Sequence, residues 1–246
     1  MTVRAVLFDL GQTLWDVRYN DALAPPIYKR VRQRLTRTVP GPIPSAERIR
    51  DAITKHWAEE EIDVLRNKRL DQRPAADIIA EGLATLGIDP PERALDLITD
   101  DILTPDVWGR YFEADTLGTL RVLKERGLKL GVVSNTYQRG AVLGAQLTQA
   151  GASRYIDVAV FSSEIGLRKP HPSLFEMPLA ELGVAPEEAV FVGDSPEADI
   201  QGAQAIGMRA VLTRQYRQES VEGVTPDCII WRLPELVEYI DSLNSH

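Results

Sequence analysis

The side chains of Asp9, Ser134, Asn135, Lys169, Asp194 and Asp199 are of the types that phosphoryl transfer needs, and they run in order along most of the chain. Asp9 and Asp194 together can hold a hard divalent cation, because Mg²⁺ takes one or two carboxylates and completes its shell with water and substrate phosphate oxygens. Such a cation screens the repulsion between the two carboxylates and admits an anionic phosphate. One Asp oxygen can then attack phosphorus and form an acyl-phosphate, which water hydrolyses. Lys169, Ser134 and nearby backbone N–H groups can stabilise the equatorial phosphoryl oxygens, the main burden in this chemistry. Each residue alone has a plainer reading. An Asp after a strand is often a turn former or helix cap. "SNT" at 134–136 is turn-like, Lys169 has the type of a surface residue, and Asp199 can simply cap a helix. The ordered set carries the chemical reading.

Positioning these groups falls to short apolar runs at 4–10, 129–135, 157–163, 189–194, 209–213 and 227–230. They are β-branched, nearly continuous and bounded by Gly, Asp or Ser, the pattern of strands buried on both faces. Helical segments fall between them at 138–150, 172–183, 196–206 and 233–243. The alternation predicts a doubly wound, Rossmann-like α/β fold with a parallel sheet. In such sheets ligands bind at the carboxyl ends of the strands, where Asp9, Ser134 and Asp194 lie. Residues 16–112 read differently: helical patterns broken by Pro-rich stretches, with no strong strand. They predict an inserted helical bundle of three to five helices, and a core formed by 1–15 with 113–246.

The bulk numbers agree with a globular chain. Of 246 residues, 44% are apolar and 26% charged, and the net charge is -8. That balance argues against nucleic-acid binding, which wants a basic face. No apolar run is long enough to span a membrane, and no basic leader precedes the first strand. A cytoplasmic protein, monomer or homodimer, acting on a small phosphorylated metabolite is the expectation. The single cysteine, Cys228, has no partner for an internal disulfide and reads as a small buried hydrophobe. The run Lys29, Arg30, Arg32, Arg34, Arg37 reads as a solvated helix face. Trp15, Trp57 and Trp108 read as packing residues.

"FDLGQTL" (8–14), "VVSNT" (132–136), "RKPHPSLF" (168–175) and "VFVGDSPEADIQGAQAIGM" (190–208) resemble the four ordered motifs of the haloacid dehalogenase-like hydrolase superfamily. The helical stretch sits where that superfamily inserts a C1 cap. The segment between Ser134 and Lys169 holds a helix and a strand but no second cap. The resemblance implies that Asp9 is the nucleophile and a Mg²⁺ ligand. It implies that Ser134 bonds a phosphoryl oxygen while Asn135 frames the loop. Lys169 would neutralise charge on Asp9 and the phosphoryl group, Asp194 would ligate Mg²⁺, and Asp199 would orient the metal's waters or Lys169.

One position departs from that pattern. Phosphatases of the superfamily mostly read D-x-D-G-T-L, and the second Asp serves as general acid and base. Here Gly11 stands at that position and Gln12 replaces the usual glycine. The resemblance gives residue 11 a backbone carbonyl role toward Mg²⁺, which Gly11 keeps. The side-chain proton shuttle, typically worth about 10²–10⁴-fold, is missing. An activated leaving group needs that help less, and Asp16 or a cap carboxylate can substitute. Gln12 can position a water or touch substrate but carries no proton. Trp15, Arg18, Tyr19 and Asn20 lie close enough in sequence to contact substrate. Two other readings stand beside the phosphatase. One is a metal-independent dehalogenase-type C–X hydrolase, which also lacks the second Asp. The other is a weakened phosphate-binding member that has lost turnover.

Overall fold

In the computed structural model, residues 2–19, 21–104 and 108–245 are described. Strand β1 (Ala5–Phe8) is apolar and fully buried, and it lies at the centre of a six-stranded sheet. Strands β2 (Asp16–Tyr19) and β3 (Trp108–Tyr111) form a separate two-stranded ribbon. The other members of the large sheet are β4 (Lys129–Ser134), β5 (Val158–Phe161), β6 (Ala189–Gly193), β7 (Arg209–Thr213) and β8 (Cys228–Ile230). Their order is β5-β4-β1-β6-β7-β8, and every pairing is parallel. The chain crosses to one side of β1 for β4 and β5, then to the other side for β6, β7 and β8. The topological switch point therefore lies at β1, where ligands bind in open α/β sheets.

Period-two alternation sends neighbouring residues to opposite faces of the sheet. Val6 and Phe8 join Leu130, Val132, Val190 and Val192 in one core layer. Leu120 and Leu123 of α5 (Ala114–Glu125), Leu143 and Leu147 of α6 (Gly140–Gln149) and Ile240 of α10 (Glu235–Asn244) cover that layer. Ala5 and Leu7 join Val133, Val158, Ala189 and Phe191 in the other, beneath Leu174, Phe175 and Leu179 of α8 (Ser173–Leu182) and Ala203 of α9 (Gly202–Ala205). Cys228 is half-buried at the margin of the first layer. Trp15 is fully buried within it, with Phe112 packed edge-on at 5.2 Å between centroids.

The chain divides into two compact units, residues 1–17 with 110–246, and residues 18–109. The second holds four helices among its described residues: α1 (Ala24–Thr38), α2 (Ala46–Asn67), α3 (Ala75–Ala84) and α4 (Glu92–Ile102). Ser45 caps α2 by accepting from the Arg48 N–H at 3.3 Å. Ile27, Val31, Leu35, Ile49, Ile53, Ile79, Leu83 and Ile98 form its core, with Trp57 packed against them. Within the basic run, Arg30 and Arg34 both pair with Asp101.

The structure differs from the sequence expectation in three places. Residues 16–112 hold two strands where none is expected; each is only four residues of mixed polarity, too short for a periodic signal. The strand expected over 157–163 ends at Phe161, and Ser162–Ile165 form a single helical turn, α7, closed by Gly166 at φ 75°. The helix expected over 196–206 begins as a π-helical turn over Pro196–Gln201 before the α-helical turn α9. Among the described residues, no helix is long and apolar enough to cross a membrane.

Candidate active site

Asp9 follows the last residue of β1, Ser134 ends β4, and Asp194 follows the last residue of β6. Phe8 is in register with Val132 on one side and Val192 on the other, so the three residues emerge side by side at the carboxyl edge. The Asp9 N–H donates to the Val192 carbonyl at 2.9 Å, which extends the β1–β6 pairing by one step. Lys169 arrives from the connection between α7 and α8.

The Lys169 ammonium is buried and has three close oxygen partners. It donates to Asp9 Oδ1 at 2.7 Å and to the Val133 carbonyl at 2.9 Å, and it pairs with Asp199 Oδ1 at 2.7 Å. Asp199 Oδ2 accepts from the Ser195 N–H at 3.0 Å, so this carboxylate ties the lysine to the loop after β6. The π-helical turn brings Asp199 there. Gly193 makes the room, because a Cβ at that position would lie 2.3 Å from the Asp199 carboxyl. Asn135 is a brace: its Nδ2 donates to the Lys169 carbonyl at 3.2 Å and its Oδ1 accepts from the Lys169 N–H at 2.8 Å. Ser134 is buried beside it, with its Oγ 3.5 Å from the Asn135 carbonyl.

Asp9, Asp194 and Asp199 each place an oxygen within 4.8 Å of the others. Burial raises the Asp9 carboxyl to about 6, against the pull of Lys169 and with a push from Asp199. Burial also raises Asp194, to about 8, reinforced by repulsion from Asp9 and Asp199. Burial disfavours the charged Lys169, but Asp199 and Asp9 outweigh it and hold the ammonium well above its ordinary range. Three buried carboxylates therefore share one ammonium. The donors are all hard oxygens and the cluster carries surplus negative charge, which fits a divalent cation such as Mg²⁺.

Arg217 supplies part of the compensation. Its Nε lies 2.7 Å from Asp194 Oδ2, an ion pair whose angles fall short of a hydrogen bond, and its Nη1 lies 3.1 Å from Glu219. The sequence gives no sign of this residue, which sits in an irregular segment after β7 with no motif around it.

Gly11 and Gln12 lie on the turn after Asp9. Gly11 bridges to Trp15. Gln12 has φ 61°, a left-handed conformation that favours glycine. Its Nε2 donates to the Val17 carbonyl at 3.2 Å, so its side chain latches the turn. The Trp15 ring, a candidate substrate contact by proximity, is instead sealed into the core. Arg18 is exposed in the helical unit. Asn20 and the side chain of Tyr19 lie outside the described residues.

A family model described as haloacid dehalogenase-like hydrolase matches residues 3–207. A phosphoserine phosphatase of Thermus thermophilus is 37% identical over 150 residues, covering 59% of this chain and 57% of that protein. This chain thus spans little more than half the length of that curated relative. A crystal structure of a 2-haloacid dehalogenase from Pseudomonas syringae shares the fold at TM-score 0.69 and 24% identity, covering 98% of this chain and 100% of the other. A HAD phosphatase from Thermococcus onnurineus superposes at TM-score 0.61 with 25% identity, covering 97% of this chain and 98% of that one.

Proposed function

Because the chain belongs to the haloacid dehalogenase-like hydrolase family, we propose that it is a Mg²⁺-dependent phosphatase. It hydrolyses a small phosphomonoester through an aspartyl-phosphate on Asp9. The buried trio of Asp9, Asp194 and Asp199 around Lys169 carries this reading. A nucleophilic carboxylate alone needs no such cluster, and burying three acids against one ammonium and the half-exposed Arg217 is costly in a way that a divalent cation among them offsets. Sequence similarity to a phosphatase supports the same reaction class.

Asp9, Asp194 and the Gly11 carbonyl are the proposed metal ligands, with Asp199 beside them. When bound, Mg²⁺ neutralises charge between these carboxylates and the incoming phosphate. Lys169 fixes one oxygen of Asp9 and keeps the carboxylate ionised for attack. The new bond joins the Asp9 oxygen to phosphorus as the bond to the leaving alcohol breaks. Ser134 and Lys169 hold the equatorial oxygens, and Asn135 keeps both loops in place. Water then attacks the phosphorus and frees Asp9. With Gly11 at the proton-shuttle position, the favoured substrates are those whose leaving group departs with little protonation. The helical unit, inserted between β2 and β3, is assigned the role of cap. We place the enzyme in the cytoplasm, acting on a small metabolite rather than on nucleic acid or a membrane, as a monomer or homodimer.

The dehalogenase reading draws on one observation, the absent second carboxylate at Gly11. It leaves Asp194 without a chemical role, since Asp199 already serves by holding Lys169. Phosphate release from p-nitrophenyl phosphate, measured with Mg²⁺, with EDTA and with Asp9→Asn, decides between them. Turnover requiring both Mg²⁺ and Asp9 is expected. Metal-free release of halide from 2-haloacids would overturn the phosphatase.

A further inference from the structure

The segment between β7 and β8 passes the reacting centre without belonging to any motif. Gly193 is in register with Leu212, so the chain leaving β7 runs beside Asp194. Its first residues are pinned to the sheet and to the start of the following helix. The Arg214 N–H donates to the Ile230 carbonyl at 2.8 Å, and the Gln215 N–H donates to Thr213 Oγ1 at 3.3 Å. Gln215 Oε1 accepts from the Leu233 N–H at 2.8 Å. Arg217 comes two residues after this anchor. Its guanidinium lies between two carboxylates, with Nε 2.7 Å from Asp194 Oδ2 and Nη1 3.1 Å from Glu219 Oε1. All of these residues belong to one compact unit.

The two partners are unequal. The Asp194 side chain is 5% exposed and that of Glu219 is 40% exposed, while Arg217 itself is 45% exposed. The guanidinium therefore reaches from solvent to a buried acid. Its contact with that acid is Coulombic rather than directional, because Asp194 Oδ2 is buried yet has no hydrogen-bond partner. An arginine that orients a carboxylate meets it fork to fork, with two aligned donors. One misaligned Nε supplies charge without orientation, and solvent screens a half-exposed charge. Such a partner is replaceable by another cation. Glu219 gives the guanidinium a second carboxylate to rest on, outside the buried cluster.

We propose that Arg217 is a built-in competitor of the divalent cation for Asp194. Mg²⁺ loads by displacing the guanidinium toward Glu219, and Arg217 thereby sets the cation concentration at which the site fills. The inference rests on the phosphatase reading for Asp194 as a metal ligand. A divalent cation brings two charges to a carboxylate where the guanidinium brings one, so it prevails once its concentration is high enough. A monovalent ion gains no charge by the same exchange. The opposite role, a positioning residue that steadies Asp194 for the metal, predicts the opposite sign. Loss of such a support typically weakens metal binding by about 10–100-fold.

Calorimetric titration of the full chain with MgCl₂ reads the sign directly, without substrate or turnover. It is run at pH 9, above the value of about 8 to which Asp194 holds its proton, so that cations alone compete for the carboxylate. Arg217→Gln is expected to bind Mg²⁺ about fivefold more tightly or better than the wild type. That is the worth of a half-exposed ion pair together with the repulsion between two neighbouring cations. Arg217→Lys keeps the charge, and its Mg²⁺ affinity should fall between the two. Melting temperature gives a second readout. In EDTA, Arg217→Gln should melt below the wild type, because Asp194 has lost its partner, and saturating Mg²⁺ should close the gap. Mg²⁺ binding that is unchanged or weaker in Arg217→Gln overturns the exchange and leaves the phosphatase standing. So does a Tm deficit of equal size with and without Mg²⁺, which would make Arg217 a structural brace. No binding of Mg²⁺ by wild type or variant, in either readout, overturns the metal-dependent phosphatase and the exchange with it.

Discussion

Gly11 is the residue at which this chain departs from the motif it resembles, and the backbone has room for what is missing. A Cβ there would meet only Val17 Cγ2, at 3.6 Å, an ordinary contact. Gly11→Asp is therefore expected to fold and to supply the absent general acid. Its kcat gain should reach up to about 10²-fold on alkyl phosphates and be much smaller on p-nitrophenyl phosphate. A flat response across leaving groups would show that another residue already moves the proton. Gln12 poses a separate question, because a left-handed residue with a side chain costs about 1–2 kcal/mol relative to glycine. Gln12→Ala and Gln12→Gly both lose the bond to Val17 and differ mainly in that backbone cost. Urea denaturation should find the glycine variant more stable by about 1 kcal/mol. Asp9 and Asp194 were legible in the sequence because each is a charged residue at the end of an apolar run, and Lys169 and Asp199 because they follow those ends in a fixed order. Arg217 was not, since its role depends on where an irregular segment happens to lead.

At the scale of elements, the strands of the large sheet were legible for the same physical reason that most of them form: continuous β-branched runs survive where both faces are covered, the edge strand β8 with its exposed Ile229 being the exception. What escaped was geometry without periodicity. The ribbon strands β2 and β3 read "DVRY" and "WGRY", and α7 is a single turn. Yet α7 supplies Ser162 and Ser163, which fix the loop after β4. The π-helical turn after Asp194 was equally hidden, and it is what carries Asp199 back over Gly193 to meet Lys169. Gly193→Ala tests that close approach. The added methyl would sit 2.3 Å from the Asp199 carboxyl, so the turn, the carboxylate or the strand must move. Overpacking of this kind costs about 1–3 kcal/mol, or about 2–4 °C in Tm per kcal/mol for a chain of this size. Activity should fall further than stability does, because the displaced Asp199 releases Lys169. A variant with lowered Tm and unaltered kcat would separate the turn from the chemistry.

For the molecule as a whole, the same cluster should set how stability responds to pH and to metal. In the folded protein Asp9 and Asp194 hold their protons to about 6 and about 8, above the ordinary value of 3.8 that they recover on unfolding. Between pH 4 and pH 8 the folded state therefore binds more protons than the unfolded one. Stability from these groups is greatest below that window and is lost as pH rises through it. In EDTA, Tm is expected to fall from pH 5 to pH 8 on their account. A divalent cation reverses the balance, because it binds the ionised carboxylates in the folded state and has no comparable site in the unfolded chain. Mg²⁺ should thus raise Tm little at pH 5 and progressively more toward pH 8. Scanning calorimetry with and without Mg²⁺ reads both trends, and Asp194→Asn should flatten the two curves toward each other. A Tm gain from Mg²⁺ that is the same at pH 5 and pH 8 would mean that the cation binds elsewhere than among these carboxylates.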